Sequence, residues 1–110
     1  MVAEQEPSDG DLMTALAKGD YTSLGRLYRR HKTVVCDLLL RLDPTHSQAD
    51  AEDLCQEVFL TLYQTAARYS GGDRLRPWLL GITLNKARRF RNKWRLRRWL
   101  LWQRYSQNKK

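Results

Sequence analysis

The feature that most constrains the fold is the stretch of residues 76–98, RPWLLGITLNKARRFRNKWRLRR. Pro77 suits the first turn of a helix, where a missing N–H costs nothing, and no later proline interrupts the chain. We therefore predict one long helix that runs into the basic end of the chain. At about 100° per residue, an apolar side separates from a polar side. The predicted apolar side contains Leu79, Leu80, Thr83, Ala87, Phe90 and Trp94.

The polar side of this predicted helix has the composition of a nucleic-acid surface. It contains Ile82, Asn85, Arg88, Arg89, Asn92 and Lys93, with Trp78 near its beginning. Arg and Lys neutralise phosphates, and Asn can form two hydrogen bonds with one base edge. An amphipathic core helix whose basic side faces only solvent would show the same separation of apolar and polar residues. The charge density and the amides interleaved with arginines favour nucleic-acid binding.

The charge of the chain is strongly divided along its length. Residues 1–66 hold 6 Lys/Arg and 11 Asp/Glu, a net charge of −5, whereas residues 67–110 hold 14 Lys/Arg and 1 Asp, a net charge of +13. A division of this kind favours an acidic surface for one partner and a basic surface for another. It is not typical of a uniformly basic, nonspecific nucleic-acid binder.

Cysteine usage and hydropathy favour a cytoplasmic protein without a metal or cofactor. Cys36 and Cys55 have no CxxC spacing, so we expect two buried thiols in a reducing compartment. The acidic, polar start does not resemble a signal peptide. No apolar run approaches the roughly 20 residues that span a bilayer.

Apolar residues at helical spacing predict three helices before the long one. They are a short helix at 11–18 capped by Ser8 or Asp9, a longer one capped by Asp20 or Thr22 that ends near Leu42, and a third from about Ser47–Asp50 to about Tyr69. The loop YSGGDRLR, residues 69–76, follows. The prediction is an all-α, compact bundle of about four helices at residues 9–102, with a flexible N-terminus at 1–8 and a polar tail or start of a linker at 103–110.

Two motifs in this order resemble region 2 of bacterial sigma factors, most closely the extracytoplasmic-function (ECF) type. Residues 50–63, DAEDLCQEVFLTLY, are similar to the polymerase-binding helix with its D-L-x-Q-E core. Residues 78–85, WLLGITLN, are similar to the W-L-x-x-I-x-x-N pattern of the promoter-melting helix. The resemblance covers about Asp11 to Arg98. It implies a sigma region 2 fold and a domain that binds RNA polymerase core and recognises and melts the promoter minus-ten element.

In that family the third helix binds the coiled-coil clamp helices of the polymerase β′ subunit. Asp53, Gln56 and Glu57 match the D-L-x-Q-E core, and an acidic, amide-bearing face suits a basic helical partner. Without the resemblance, a solvated helix face would be the simpler interpretation of Asp53 and Glu57. The implied polymerase-binding residues are Asp50, Asp53, Leu54, Gln56, Glu57, Leu60 and Tyr63.

The resemblance also assigns roles to the loop and the long helix. Trp78 matches an aromatic residue at the upstream edge of the melted promoter, although a core tryptophan stays an alternative. The loop matches the specificity loop that takes a flipped base from the non-template strand of the minus-ten element. The implied DNA-binding residues are Tyr69, Ser70, Asp73, Arg74, Trp78, Ile82, Asn85, Lys86, Arg88, Arg89, Asn92 and Lys93. An anti-sigma factor is a further implied partner.

Complete sigma factors of this type continue into a linker and a helix-turn-helix domain that reads the minus-thirty-five element. This chain stops shortly after the basic helix, so both an excised domain and a stand-alone relative are open interpretations. The family also usually has fewer large apolar residues at this point than the cluster Trp94, Trp99, Leu100, Leu101 and Trp102.

Two other functional classes fit only part of the sequence. Trp, Leu and Arg in the tail RNKWRLRRWLLWQRY also suit a helix at a membrane surface or a nonspecific nucleic-acid binder, but neither explains the DLCQE helix. An enzyme is not expected, because His31 and His46 lack a carboxylate or cysteine partner at a recognisable spacing. YSGG also lacks the Lys-Ser/Thr of a phosphate-binding loop.

Overall fold

A computed structural model describes residues 6–107 of the chain and contains, within them, four α-helices and no strand. The helices are α1 (Asp9–Ala17), α2 (Tyr21–Leu42), α3 (Gln48–Thr65) and α4 (Leu75–Gln107), with a 3₁₀ turn at Ala66–Arg68 after α3. The predicted all-α bundle is therefore confirmed. The predicted flexible segment 1–8 and tail 103–110 lie partly outside the described residues.

Each of the first three helices begins at a side-chain cap, and the caps of α1 and α2 are among those that the sequence predicts. The Ser8 hydroxyl accepts from the Asp11 N–H at 3.1 Å, and Asp20 accepts from the N–H of Thr22, also at 3.1 Å. Ser47 and Asp50 form a reciprocal capping box. Each cap satisfies an N–H group that has no partner within the helix, which is worth about 1 kcal/mol.

The core lies where α2 and α3 pack on each other and on α1 and α4. Leu27, Leu39 and Leu62 are completely buried at its centre. Burying one such leucine contributes about 1.5–3 kcal/mol. Leu75, the first residue of α4, is also completely buried, so the beginning of α4 is anchored in this core.

His31 has a carboxylate partner that no recognisable sequence spacing indicates. His31 is buried, and its Nε2 lies 3.0 Å from Oδ2 of Asp9. The other oxygen of Asp9 accepts from Arg30 at 2.9 Å. Asp9 lies 22 residues before His31, and only the packing of α1 on α2 brings them together. His46 also lies 3.8 Å from an Asp43 oxygen.

The two cysteines lie between α2 and α3. The Cys55 thiol is buried 3.8 Å from the carbonyl oxygen of Lys32, and burial, together with the neighbouring Cys36, raises its pKa to about 12. Cys55 therefore stays protonated at neutral pH and packs as a small apolar residue. Cys36 is only half-buried, in contrast to the prediction. Within residues 6–107, no group of His, Cys, Asp or Glu side chains is arranged to hold a metal ion.

The last half of α4 leaves the bundle. Leu79, Thr83 and Ala87 of the predicted apolar side are buried, but Phe90 is half-buried against His46, and Trp94 is 46% exposed. The prediction of a core side is thus wrong at Trp94, because α2 and α3 end before it. Residues 91–107, here called the arm, stay helical beyond the predicted domain end at 102, and the chain extends over 78 Å along its longest axis.

Candidate functional site

A cavity of about 440 Å³ lies between α3 and the first half of α4. Its walls include five of the predicted DNA-binding residues, together with Thr61 of α3, Pro77 and Gly81. Those five are Trp78, Ile82, Asn85, Lys86 and Arg89. The cavity, called here the α3/α4 cavity, combines one aromatic ring, one amide and two cationic groups. This combination suits a nucleotide with its base, base edge and phosphate.

Arg88 has a different place from its neighbour Arg89. Its guanidinium donates to the side-chain oxygen of Asn85 at 3.0 Å, and it lines another cavity with Leu84 and Arg91. The hydrogen bond fixes the orientation of the Asn85 amide and directs its NH₂ donors elsewhere. Asn92 and Lys93 are exposed farther along α4 and do not line the α3/α4 cavity. The structure therefore separates the predicted DNA-binding residues of α4 into two groups, five that line this cavity and three that do not.

Trp78 lies at the surface, so the alternative of a core tryptophan is excluded. Its side chain is 38% exposed, and its ring lies edge-on against Tyr69 with 5.7 Å between the ring centroids. Edge-on aromatic pairs are stable and hold both rings in place. The contact fixes one wall of the α3/α4 cavity and joins it to the loop before α4.

A second cavity, of about 340 Å³, lies between this loop and α1. Tyr69, Ser70 and Gly72 line it on the loop side, and Thr14 of α1 and Lys18, directly after α1, line it on the other. Since Tyr69 also contacts Trp78, the two cavities adjoin at this aromatic pair. The sequence contains no signal for the contribution of α1, because α1 is more than 50 residues from the loop along the chain.

Asp73 holds the loop on α1 instead of pointing a free carboxylate at a ligand. Its Oδ1 accepts from the Gly10 N–H at 2.8 Å. This bond and the Ser8 hydroxyl hold the pKa of Asp73 below its usual value. The Tyr69 hydroxyl donates to the Gly72 carbonyl at 2.6 Å, and Gly72 has a φ of +59° that favours glycine. The loop ends at Arg74, because Leu75 and Arg76, which the sequence assigned to it, are helical.

We expect Asp73→Ala to increase the hydrogen-exchange rate of the Gly10 amide several-fold, because this change removes the acceptor of that N–H. Acid should have the same effect on the wild type. The folded-state pKa of Asp73 is lowered, so the carboxylate stabilises the loop fully above the ordinary aspartate pKa, and the effect is lost as pH falls through the folded-state value. Exchange rates corrected for intrinsic pH dependence measure this, with Asp37→Ala as control. Equal protection of Gly10 in both variants would contradict the assignment.

Four of the predicted polymerase-binding residues share an exposed face of α3, called here the acidic face: Asp53, Gln56, Glu57 and Leu60. Asp50 adjoins this face but belongs to the capping box. Tyr63 is half-buried, and its hydroxyl lies 2.7 Å from that of Tyr21. Leu54 is 4% exposed and belongs to the core, so its prediction as a contact residue is wrong. Leu54 follows Asp53 directly and is therefore turned about 100° around the helix from it, toward the core.

Comparison with known proteins decides the family. The family model described as Sigma-70 region 2 matches residues 27–106, which is most of the chain. The chain belongs to the sigma-70 region 2 family. This confirms the resemblance drawn from the two motifs. The members of the family are non-enzymatic transcription initiation factors, in agreement with the expectation that the chain is not an enzyme.

Several characterised members of the sigma family are similar to the chain. The RNA polymerase sigma factor CarQ of Myxococcus xanthus is 40% identical over 62 residues, which cover 56% of this chain and 34% of the relative. The ECF RNA polymerase sigma factor SigE of Mycolicibacterium smegmatis is 38% identical over 85 residues, 73% of this chain and 32% of the relative. The sigma factor NccH of Alcaligenes xylosoxydans xylosoxydans is 30% identical over 87 residues, 78% of this chain and 46% of the relative.

The chain thus spans between a third and a half of the length of these curated sigma factors. No solved structure matches it at a significant level. Within the described residues, no helix has the length and apolar composition needed to cross a bilayer. The arm also does not suit a membrane surface, because its exposed Leu96 and Leu101 lie about 140° apart around the helix. An interfacial helix needs its apolar residues on one side.

Proposed function

We propose that the chain is a sigma factor domain that binds the β′ clamp helices of RNA polymerase core and recognises and melts the promoter minus-ten element. The α3/α4 cavity is the observation that carries this proposal. It gathers Trp78, Asn85 and Arg89, which the family motif and the basic run predict to contact DNA, at one open site. The divided charge of the chain provides an acidic surface for polymerase and a basic one for DNA.

In the proposed complex, the non-template strand crosses the α3/α4 cavity. Lys86 and Arg89 neutralise its phosphates, and the Asn85 amide donates to a base edge. The Trp78 ring replaces the stacking neighbour that a base loses when the duplex opens. These contacts favour the unpaired strand over the duplex, and this difference in affinity drives melting.

The neighbouring loop cavity is the proposed site of the extruded base. Ser70 supplies a hydroxyl, and Thr14 of α1 and the following Lys18 line the opposite wall. The anchoring of Asp73 on Gly10 keeps the cavity open before DNA binds, which reduces the ordering cost of binding. Both partners place the protein in the cytoplasm. An anti-sigma factor is a further proposed partner, on the family resemblance alone.

The proposal is tested with the full chain, RNA polymerase core and fluorescent minus-ten oligonucleotides. We expect the chain to co-purify with core enzyme and to bind single-stranded non-template oligonucleotides more tightly than the corresponding duplexes. Equal affinity for single strands and duplexes, or no association with core enzyme, would overturn it. A panel of oligonucleotides that varies each minus-ten position covers the possible promoter sequences.

We expect Arg89→Ala to reduce the salt dependence of single-strand binding by about one counterion, because Arg89 faces the proposed path of the phosphates. Binding should weaken to a similar extent for every oligonucleotide sequence, since a phosphate contact reads no base. Arg26→Ala, which removes an exposed arginine of α2, is the matched control. The slope of log K against log salt measures the effect. An unchanged slope for Arg89→Ala would place the DNA away from this cavity.

A further inference from the structure

The arm exposes an unusually large number of apolar side chains for a helix in contact with water. The arm contains six Lys or Arg residues and no Asp or Glu. Its large apolar residues are between 46% and 61% exposed, and they include Trp94, Leu96, Trp99, Leu100, Leu101 and Trp102. Apolar surface of this extent marks an interaction site.

Most of these apolar residues occupy two sides of the helix, and Trp102 lies between the two sides, in line with Arg91 and Arg95. At about 100° per residue, Trp94 and Leu101 continue the side that is buried in the bundle at Ala87. Leu96 and Trp99 lie roughly opposite, with Leu100 beside Leu96. A helix with apolar residues on two sides is stable only when both sides are covered.

The cationic residues occupy the two strips between these apolar sides. Lys93, Arg97 and Arg104 form one strip, and Arg91, Arg95 and Arg98 form the other. Each apolar side is therefore flanked by cationic groups. A partner that covers one side needs an apolar stripe with carboxylates on both of its edges, as in paired helices of a coiled coil.

We propose that the arm is a docking site for an acidic helical hairpin of a partner protein, which encloses the arm between two helices. Each hairpin helix places an apolar stripe on one side of the arm, and its carboxylates meet the adjacent cationic strips. A cavity of about 410 Å³ between Trp94 and the α2–α3 connection adjoins the strip of Arg91, Arg95 and Arg98. All three arginines line it, together with the carboxylates of Asp43 and Asp50 on the opposite wall. This partner does not use the DNA contacts proposed at the α3/α4 cavity, which lie outside the arm.

Other occupants fit the arm less well. A flat membrane surface or a DNA duplex covers only one side of a straight helix. The bases of a single-stranded nucleic acid can stack on the tryptophans, but they provide no aliphatic partner for Leu96, Leu100 and Leu101. A second arm would bring six cationic residues against six, which is repulsive. Charge complementarity therefore favours an acidic protein.

The probe is a synthetic helical hairpin with leucines on its inner stripes and glutamates on their edges, titrated into the full chain. Binding should shift the tryptophan emission to shorter wavelength. Hairpins with lysine in place of glutamate, or with serine in place of leucine, should not bind. Leu96→Gln and Leu101→Gln should each weaken binding by about tenfold, because each removes a buried leucine. Leu84→Gln, at a similarly exposed leucine of α4, should have no effect.

Three results would overturn the proposal. If only one of Leu96→Gln and Leu101→Gln weakens binding, the partner covers one side only. If oligothymidylate or phosphatidylserine vesicles bind with the same sensitivity to both substitutions while the hairpin does not, the occupant is a nucleic acid or a membrane. Self-association of the full chain that both substitutions abolish would identify a second copy as the occupant.

Discussion

Reversing the charge of Asp53 and Glu57 together is expected to weaken binding of the chain to the β′ clamp helices by on the order of a hundredfold or more. Both side chains are exposed on the acidic face of α3. In the proposed complex they meet a basic helical surface, so lysines at both positions would place like charges in contact. Such contacts cost several kcal/mol across an interface, and about 1.4 kcal/mol corresponds to a tenfold change in affinity.

The same double substitution should leave the fold intact. Neither carboxylate forms a hydrogen bond or an ion pair within the described residues, and both wild-type and variant helices carry a like-charged pair at this four-residue spacing. Circular dichroism and thermal unfolding check this point. Asp11→Lys together with Asp37→Lys changes the net charge equally on α1 and α2, and it should retain binding to a β′ clamp-helix fragment. If the Asp53/Glu57 variant binds as tightly as the wild type, the acidic face is only a solvated surface and does not contact β′.

Local interactions explain why much of the fold could be predicted from the sequence. Ser8, Asp20 and Ser47 cap their helices through contacts within three residues, so capping chemistry alone locates these helix starts. The two sides of α4 follow from helical periodicity as far as Ala87, and the side that faces away from the core contains most of the residues of the α3/α4 cavity. The periodicity of a single helix determines which of its residues share a side.

Contacts between elements that are distant in sequence could not be predicted in this way. Asp73 binds Gly10 across 63 residues, and His31 meets Asp9 across the α1–α2 packing. Both contacts depend on how the helices cross, which no spacing within one helix encodes. The exposure of Trp94 has the same cause, since the end of the bundle depends on where α2 and α3 end. For the same reason the α1 wall of the loop cavity, including Thr14 and Lys18, had no counterpart among the predicted site residues.

Asn85→Ala is expected to reduce discrimination among minus-ten sequences by about 1–3 kcal/mol at the base that it contacts. Asn85 lies in the α3/α4 cavity, and the guanidinium of Arg88 occupies its side-chain oxygen. The hydrogen bond from Arg88 therefore orients the NH₂ group of Asn85. Only a base with an acceptor at the matching position of its edge can bond to this group. Affinity for random single strands should change little, because the phosphate contacts are retained.

A double-mutant cycle of Asn85→Ala and Arg88→Ala separates base reading from phosphate binding. If Arg88 acts by orienting Asn85, Arg88→Ala alone should reduce discrimination in the same direction, and the double variant should lose little more than Asn85→Ala. If Arg88 acts only on a phosphate, the single effects should add, and affinity should fall for every oligonucleotide. Gln64→Ala is the control, since this exposed amide of α3 lies outside the cavity and is not among the predicted DNA-binding residues. Fluorescence titration of the four proteins against a panel of single-stranded oligonucleotides makes the comparison. Equal losses on all sequences for Asn85→Ala would mean that Asn85 supports the helix surface and reads no base.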